Sequence, residues 1–73
     1  MKYIVIEIQK SATGEIANIV TSHNTILEAE SKYHTILAAA AISDLPAHGA
    51  IIVNENCFPV KHDSYTNAGG DSE

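Results

Sequence analysis

A chain of 73 residues makes one small domain, near the size at which a single core supplies only a few kcal/mol of stability. Its one cysteine, Cys57, excludes an internal disulfide, so reinforcement has to come from tight packing or oligomerisation. Nine Asp and Glu stand against four Lys, with no arginine and a net charge of −5; direct nucleic-acid binding, which leans on guanidinium groups and basic stripes, is not expected.

Residues 2–9, KYIVIEIQ, alternate as a β-strand, with Ile4, Ile6 and Ile8 on one face and Tyr3, Val5, Glu7 and Gln9 on the other. This opening strand is too short for a membrane span and has no small-residue cleavage pattern, which points to a cytoplasmic protein. The polar run 10–15, KSATGE, is a turn, and 16–22 is a second strand. Pairing Ile8 with Ala17 and Ile6 with Ile19 puts Ala17, Ile19 and Thr21 on the helix side; a one-residue slip puts Ile16, Asn18 and Val20 there instead. The first register keeps Asn18 out of the core and is preferred.

Thr25 and Glu28 form a T-x-x-E capping box that opens a helix running to Ser43, and Pro46 blocks its continuation. Ile26, Ala29, Tyr33, Ile36, Leu37 and Ala40 fall within one arc, the face expected against a sheet, and Ile6, Tyr33 and Leu37 are expected in the core. Glu28 and Lys32 make a solvent-side pair four residues apart. Leu27, Ser31, Thr35, Ala38, Ala39 and Ile42 lie away from that arc. Two explanations stand equal for so apolar an outer side: high alanine helix propensity, or packing of small residues against another chain.

A third strand over 47–53, a turn at Asn54-Glu55-Asn56 and a fourth strand over 57–65 complete the chain, followed by a disordered acidic tail over 66–73. Pro59 suits an edge strand. The expected fold is therefore α+β, ββαββ: a mainly antiparallel sheet in spatial order 2-1-3-4, with one helix on one face. The other face, carrying Tyr3, Val5, Ile16, Val20 and alternate residues of 51–53, has no cover within the chain and is expected to find a partner.

The histidines do not make a catalytic set. His23 and His34 have no Ser, Cys or Asp partner at motif spacing. If Val53 pairs with Cys57, His48 lies opposite His62 and beside Asp63, a pair that could hold zinc or nickel only with ligands from another chain; the plainer account is a polar hairpin end. Cys57 lacks a neighbouring cation and reads as a packing residue, and Gly69-Gly70 has no strand or helix that would make it a phosphate loop. No enzyme, cofactor or resident metal is expected.

The run Lys32-Tyr33-His34-Thr35 leading into Leu37 and alanines 38–41, followed by Ser43, Pro46 and His48, resembles a group of small uncharacterised proteins associated with phages and prophages of gut-type bacteria. The resemblance spans roughly 3–65, including Lys61 and Tyr65, and departs at the second hairpin, where a glycine near Asn56 would be expected. It implies a genomic setting rather than a mechanism. Two functional classes follow. One is a non-catalytic structural or interaction protein that self-associates through the open sheet face or the alanine-rich helix surface; in the setting that the resemblance implies, it is a phage accessory or virion-associated component in the cytoplasm of a bacterial host. The other is a ligand-binding or counter-defence module that holds a host protein or small molecule at an oligomer interface. The candidate contact residues are Lys32, His34, Ala39, Ile42, His48 and His62.

Overall fold

A computed structural model describes residues 1–66. The elements follow the expected order: β1 (Tyr3–Lys10), β2 (Ile16–His23), α1 (Ile26–Ala41), β3 (Ala47–Asn54) and β4 (Pro59–Thr66). The strands form one sheet in the order β2-β1-β3-β4, with every neighbouring pair antiparallel. Thr66 pairs with Ala47 and closes β4 instead of opening a tail. The rest of the tail expected over 66–73 lies outside the described residues.

The two hairpins turn in the same way. In the first, Ser11 N donates to Glu15 O (2.9 Å) and Gly14 N to Ser11 O (3.0 Å), with Gly14 left-handed at φ +93°. In the second, Asn54 N donates to Phe58 O (3.0 Å) and Cys57 N to Asn54 O (3.0 Å), with Cys57 left-handed at φ +66°. Both are three-residue loops that end on a left-handed residue, where glycine is the unstrained choice. Asn54 Oδ1 braces the second loop by accepting from Asn56 N (2.9 Å) and Phe58 N (3.1 Å).

This turn corrects the expected register of β4. Cys57 is used in the loop, so the strand starts at Pro59, and Val53 faces Pro59 across an irregularity between Ile52 and Val53. His48 consequently pairs with Tyr65, and His62 with Ile51. The two histidines are not opposite one another. They sit on opposite faces of the sheet, because strand neighbours alternate.

α1 begins as its sequence dictates. Thr25 Oγ1 accepts from Glu28 N at 3.1 Å, a cap that contributes about 1 kcal/mol. The Glu28 carboxylate returns to Asn24 N (3.2 Å), one residue before the cap. At the other end Ile42 N and Ser43 N donate to Ala39 O and Ala40 O, tightening the last turn before Ser43 Oγ accepts from Leu45 N. The expected arc is the packed one: Ala29, Tyr33, Ile36 and Ala40 are buried, and Ile26 and Leu37 pack partly against the core.

The sheet presents the opposite face from the one expected. The core consists of Val5, Ala50 and Ile52 against Ala29, Tyr33 and Ile36, with Tyr3 at its margin. Ile6, expected in the core, is half-buried on the uncovered face, and Val5 takes its place. The preferred register of β2 is also off by one, since Ile8 pairs with Asn18 and Ile6 with Val20. The two differences offset each other: Val5 opposite Thr21 and Glu7 opposite Ile19 leave Ala17, Ile19 and Thr21 on the helix side after all. The isoleucine face of β1 is the more aliphatic of the two, but alternation marks faces without saying which one the crossover helix lands on.

Ile52 is fully buried, so Ile52→Ala should cost about 2–5 kcal/mol in a denaturant titration, a large part of the stability of so small a domain. Cys57→Gly should raise stability by up to about 1 kcal/mol, because the left-handed backbone is strained for any residue with a Cβ. A lowered unfolding midpoint in Cys57→Gly would show that the thiol side chain makes a stabilising contact outweighing that relief.

Candidate functional site

Two features stand apart from the aliphatic packing. The first is a polar cluster on the helix side of β1 and β3. Gln9 lies opposite His48 and Glu7 opposite Ala50, which sets Glu7 and His48 on a cross-strand diagonal. His48 Nε2 and Glu7 Oε2 are 2.7 Å apart, and Gln9 Nε2 donates to the same oxygen at 2.9 Å. The pair is well covered, with His48 6% and Glu7 13% exposed. Burial raises the pKa of the Glu7 carboxyl, but the hydrogen bonds from His48 and Gln9 and the attraction of His48 and Lys32 outweigh it and hold it below 4.5. His48 Nδ1 is buried with no hydrogen-bond partner among the described residues.

Beside this cluster, burial and the nearby Asp63 raise the Tyr33 pKa against the opposing pull of Lys61. Lys61 Nζ reaches Glu30 Oε2 at 3.0 Å, tying β4 to α1 and placing Lys61 on the helix side. Such an exposed pair adds little stability.

The second feature is the uncovered face of the sheet. Ile4, Ile6, Ile51 and Val53 are half-buried there, and Ile8, Ile16 and Val20 are exposed. The two acidic residues within strands, Glu7 and Asp63, both alternate to the helix side, so among the described residues no strand carboxylate lies on this face. Its hollow is a shallow cleft of about 620 Å³ over Gly49, flanked by Ile8, Ile51, Pro59, His62 and Ser64. Glycine is required at its floor, since a Cβ on Gly49 would come within 2.5 Å of Ser64 Cβ.

The six contact candidates do not converge. Lys32 and His48 share the neighbourhood of Glu7, but His48 is an interior residue rather than a surface contact. His34 is exposed on the helix, edge-on to Tyr33 at 5.4 Å between ring centres. Ala39 and Ile42 are exposed near the end of α1, and His62 lines the cleft, as does the buried His48. No group of three or more His, Cys, Asp or Glu residues suited to a metal ion occurs among the described residues, and the split of His48 from His62 removes the metal pair considered from the sequence. Sequence reasoning missed Glu7 and Gln9 as partners of His48. Their alternation with Val5 was visible, and the diagonal to β3 was not.

Comparison of the chain with protein-family models, with curated proteins and with solved structures finds no match in any of the three. Among the described residues, no helix is long and apolar enough to cross a membrane.

The lowered Glu7 pKa fixes the sign of a pH effect. Its stabilising contribution is fully present above about pH 4.5, the unfolded value, and is lost as pH falls through the lower folded value. Glu7→Gln should cost about 1.5–3 kcal/mol at neutral pH, the range for a hydrogen bond to a charged group, and should flatten this acid loss. Thermal unfolding of both proteins across the acid range checks it; parallel pH profiles would mean that Glu7 does not contribute to the acid sensitivity.

Proposed function

We propose that the protein is a small, non-catalytic interaction protein that works by self-association through the uncovered face of its sheet. The observation that carries this reading is the combination of seven aliphatic side chains, Ile4, Ile6, Ile8, Ile16, Val20, Ile51 and Val53, with the absence of any strand carboxylate beside them among the described residues. A chain of net charge −5 meets a second copy with least repulsion where its acids are not. Four strands of eight residues, at about 3.4 Å per residue and about 4.8 Å per strand, present roughly 500 Å² of face. Two copies stacked face to face would bury about 1,000 Å² or more, which reaches the lower bound for a specific interface.

The outer side of α1 is the weaker surface. Its apolar Leu27, Ala38 and Ala39 are interrupted by Glu28, Ser31, His34 and Thr35. In this reading the protein is an accessory or virion-associated component of a phage or prophage, a setting whose support is the resemblance in the helix and the segment around Pro46. A ligand-binding role draws on one specific observation, the cleft over Gly49, which a second copy packed on this face would roof over.

The unfolding midpoint should rise with protein concentration. Ile8 is 42% exposed, so Ile8→Glu leaves the monomer fold intact and should dissociate the face, whereas Ala39→Glu on the helix should leave association unchanged. Sedimentation equilibrium and circular dichroism of the three proteins provide the measurement, and native mass spectrometry shows whether a small molecule copurifies. A parent that is strictly monomeric at high micromolar concentration overturns the reading.

A further inference from the structure

The two edges of the sheet are not alike. β4 carries Pro59, Lys61 and Asp63 together with the irregularity at its start, all devices that discourage a neighbour from adding to an edge. β2, IANIVTSH, is as long and carries none of them: no proline, no lysine, no carboxylate. Its only strand partner among the described residues is β1, so the other side of its backbone faces outward.

The exposure of its side chains says what kind of cover it lacks. Ile16 and Val20, on the uncovered face, are 58% and 56% exposed, and Ile19, on the helix side, is 51% exposed. α1 lies mainly over β1 and β3 and does not reach across Ile19. A layer stacked on the open face would cover Ile16 and Val20 and leave Ile19 in water. A strand laid alongside β2 covers all three.

We propose that β2 is a second self-association surface, pairing antiparallel with β2 of another copy about a twofold axis to make a continuous eight-stranded sheet. The occupant is a second copy because the strand is self-complementary. It is uncharged along its length apart from the terminal His23, so two copies of an acidic chain meet there without like charges opposed. Ile16, Ile19 and Val20 are then flanked by an equally apolar strand. The pairing also closes on itself, since the guarded β4 edges are left at the two ends of the joined sheet and do not propagate it. The proposal extends the self-association reading and adds to the stacked face a contact in the plane of the sheet.

Charge placed on the helix side of β2 tests the edge without touching the open face. Ile19→Lys and Ala17→Lys, both at exposed positions, should each halve the mass of the parent assembly in sedimentation equilibrium, with circular dichroism unchanged. The outward amides of β2 should be protected from hydrogen exchange in the parent and lose that protection in both variants. Ile8→Glu is the control for the stacked face. If Ile19→Lys and Ala17→Lys sediment as the parent does and the outward β2 amides exchange freely, the edge proposal is wrong, whatever Ile8→Glu does to the face. If only the β2 variants reduce the mass, the edge stands and the stacked face fails. Unlimited growth of mass with concentration that persists in Ile8→Glu, where the stacked face is removed, would mean that β2 adds to β4 of the next copy, which also overturns the twofold pairing.

Discussion

One helix cannot cover four strands. An α-helix with its side chains is about 10–12 Å across, whereas four strands at about 4.8 Å span some 19 Å. α1 therefore seats on β1 and β3, the inner pair, and the interior gathers where those three elements meet, at Val5, Ala50 and Ile52 against Ala29, Tyr33 and Ile36. The small residues in that list have a purpose. Ala29 on the helix and Ala50 on β3 let the backbone layers approach, while Tyr33 and the isoleucines fill the space between them.

The flanks are left to other means. On the β4 side the Lys61 and Glu30 pair reaches across from strand to helix, and the aliphatic part of the lysine chain can lie along the boundary. On the β2 side, Thr21 and His23 bond to each other (2.9 Å) rather than to α1, and Ile19 stays open. The asymmetry between the flanks and the bare second face have the same origin, a sheet wider and more apolar than its single helix can hide. The self-association we propose rests on that shortage of cover rather than on any particular polar group.

Under the helix the cost of the chosen face becomes visible. Facing Val5 inward also faces Glu7 and Gln9 inward, and an unpaired carboxylate there would be strongly unfavourable. His48 arrives from β3 on the diagonal and satisfies it, with Gln9 as a second donor and Lys32 adding attraction. This arrangement explains why a histidine can be among the most buried side chains of the protein. It also makes His48 a structural residue, buried under the helix although it lines the cleft together with His62.

Local chemistry sufficed for the elements themselves. The threonine cap at Thr25, the stop at Pro46, the glycine turn after Lys10 and the period-two runs named one helix and four strands, and the crossover rule ordered them, because each signal is a short-range preference written in adjacent residues. The choice of face was not of that kind: alternation favours Ile6, which shares its face with Ile4 and Ile8, over Val5, and only the landing of α1, with the His48 and Glu7 contact that makes an inward carboxylate tolerable, turned Val5 inward. Register was likewise missed at each hairpin, by one residue at the first and by three along most of β4 at the second. In the second, a left-handed cysteine occupies a position where sequence patterns look for glycine, so the turn took Cys57 from the strand and moved His48 from His62 to Tyr65. Turn geometry, pairing and layer choice depend on residues far apart in the chain meeting in space, and the tertiary structure alone brings them together.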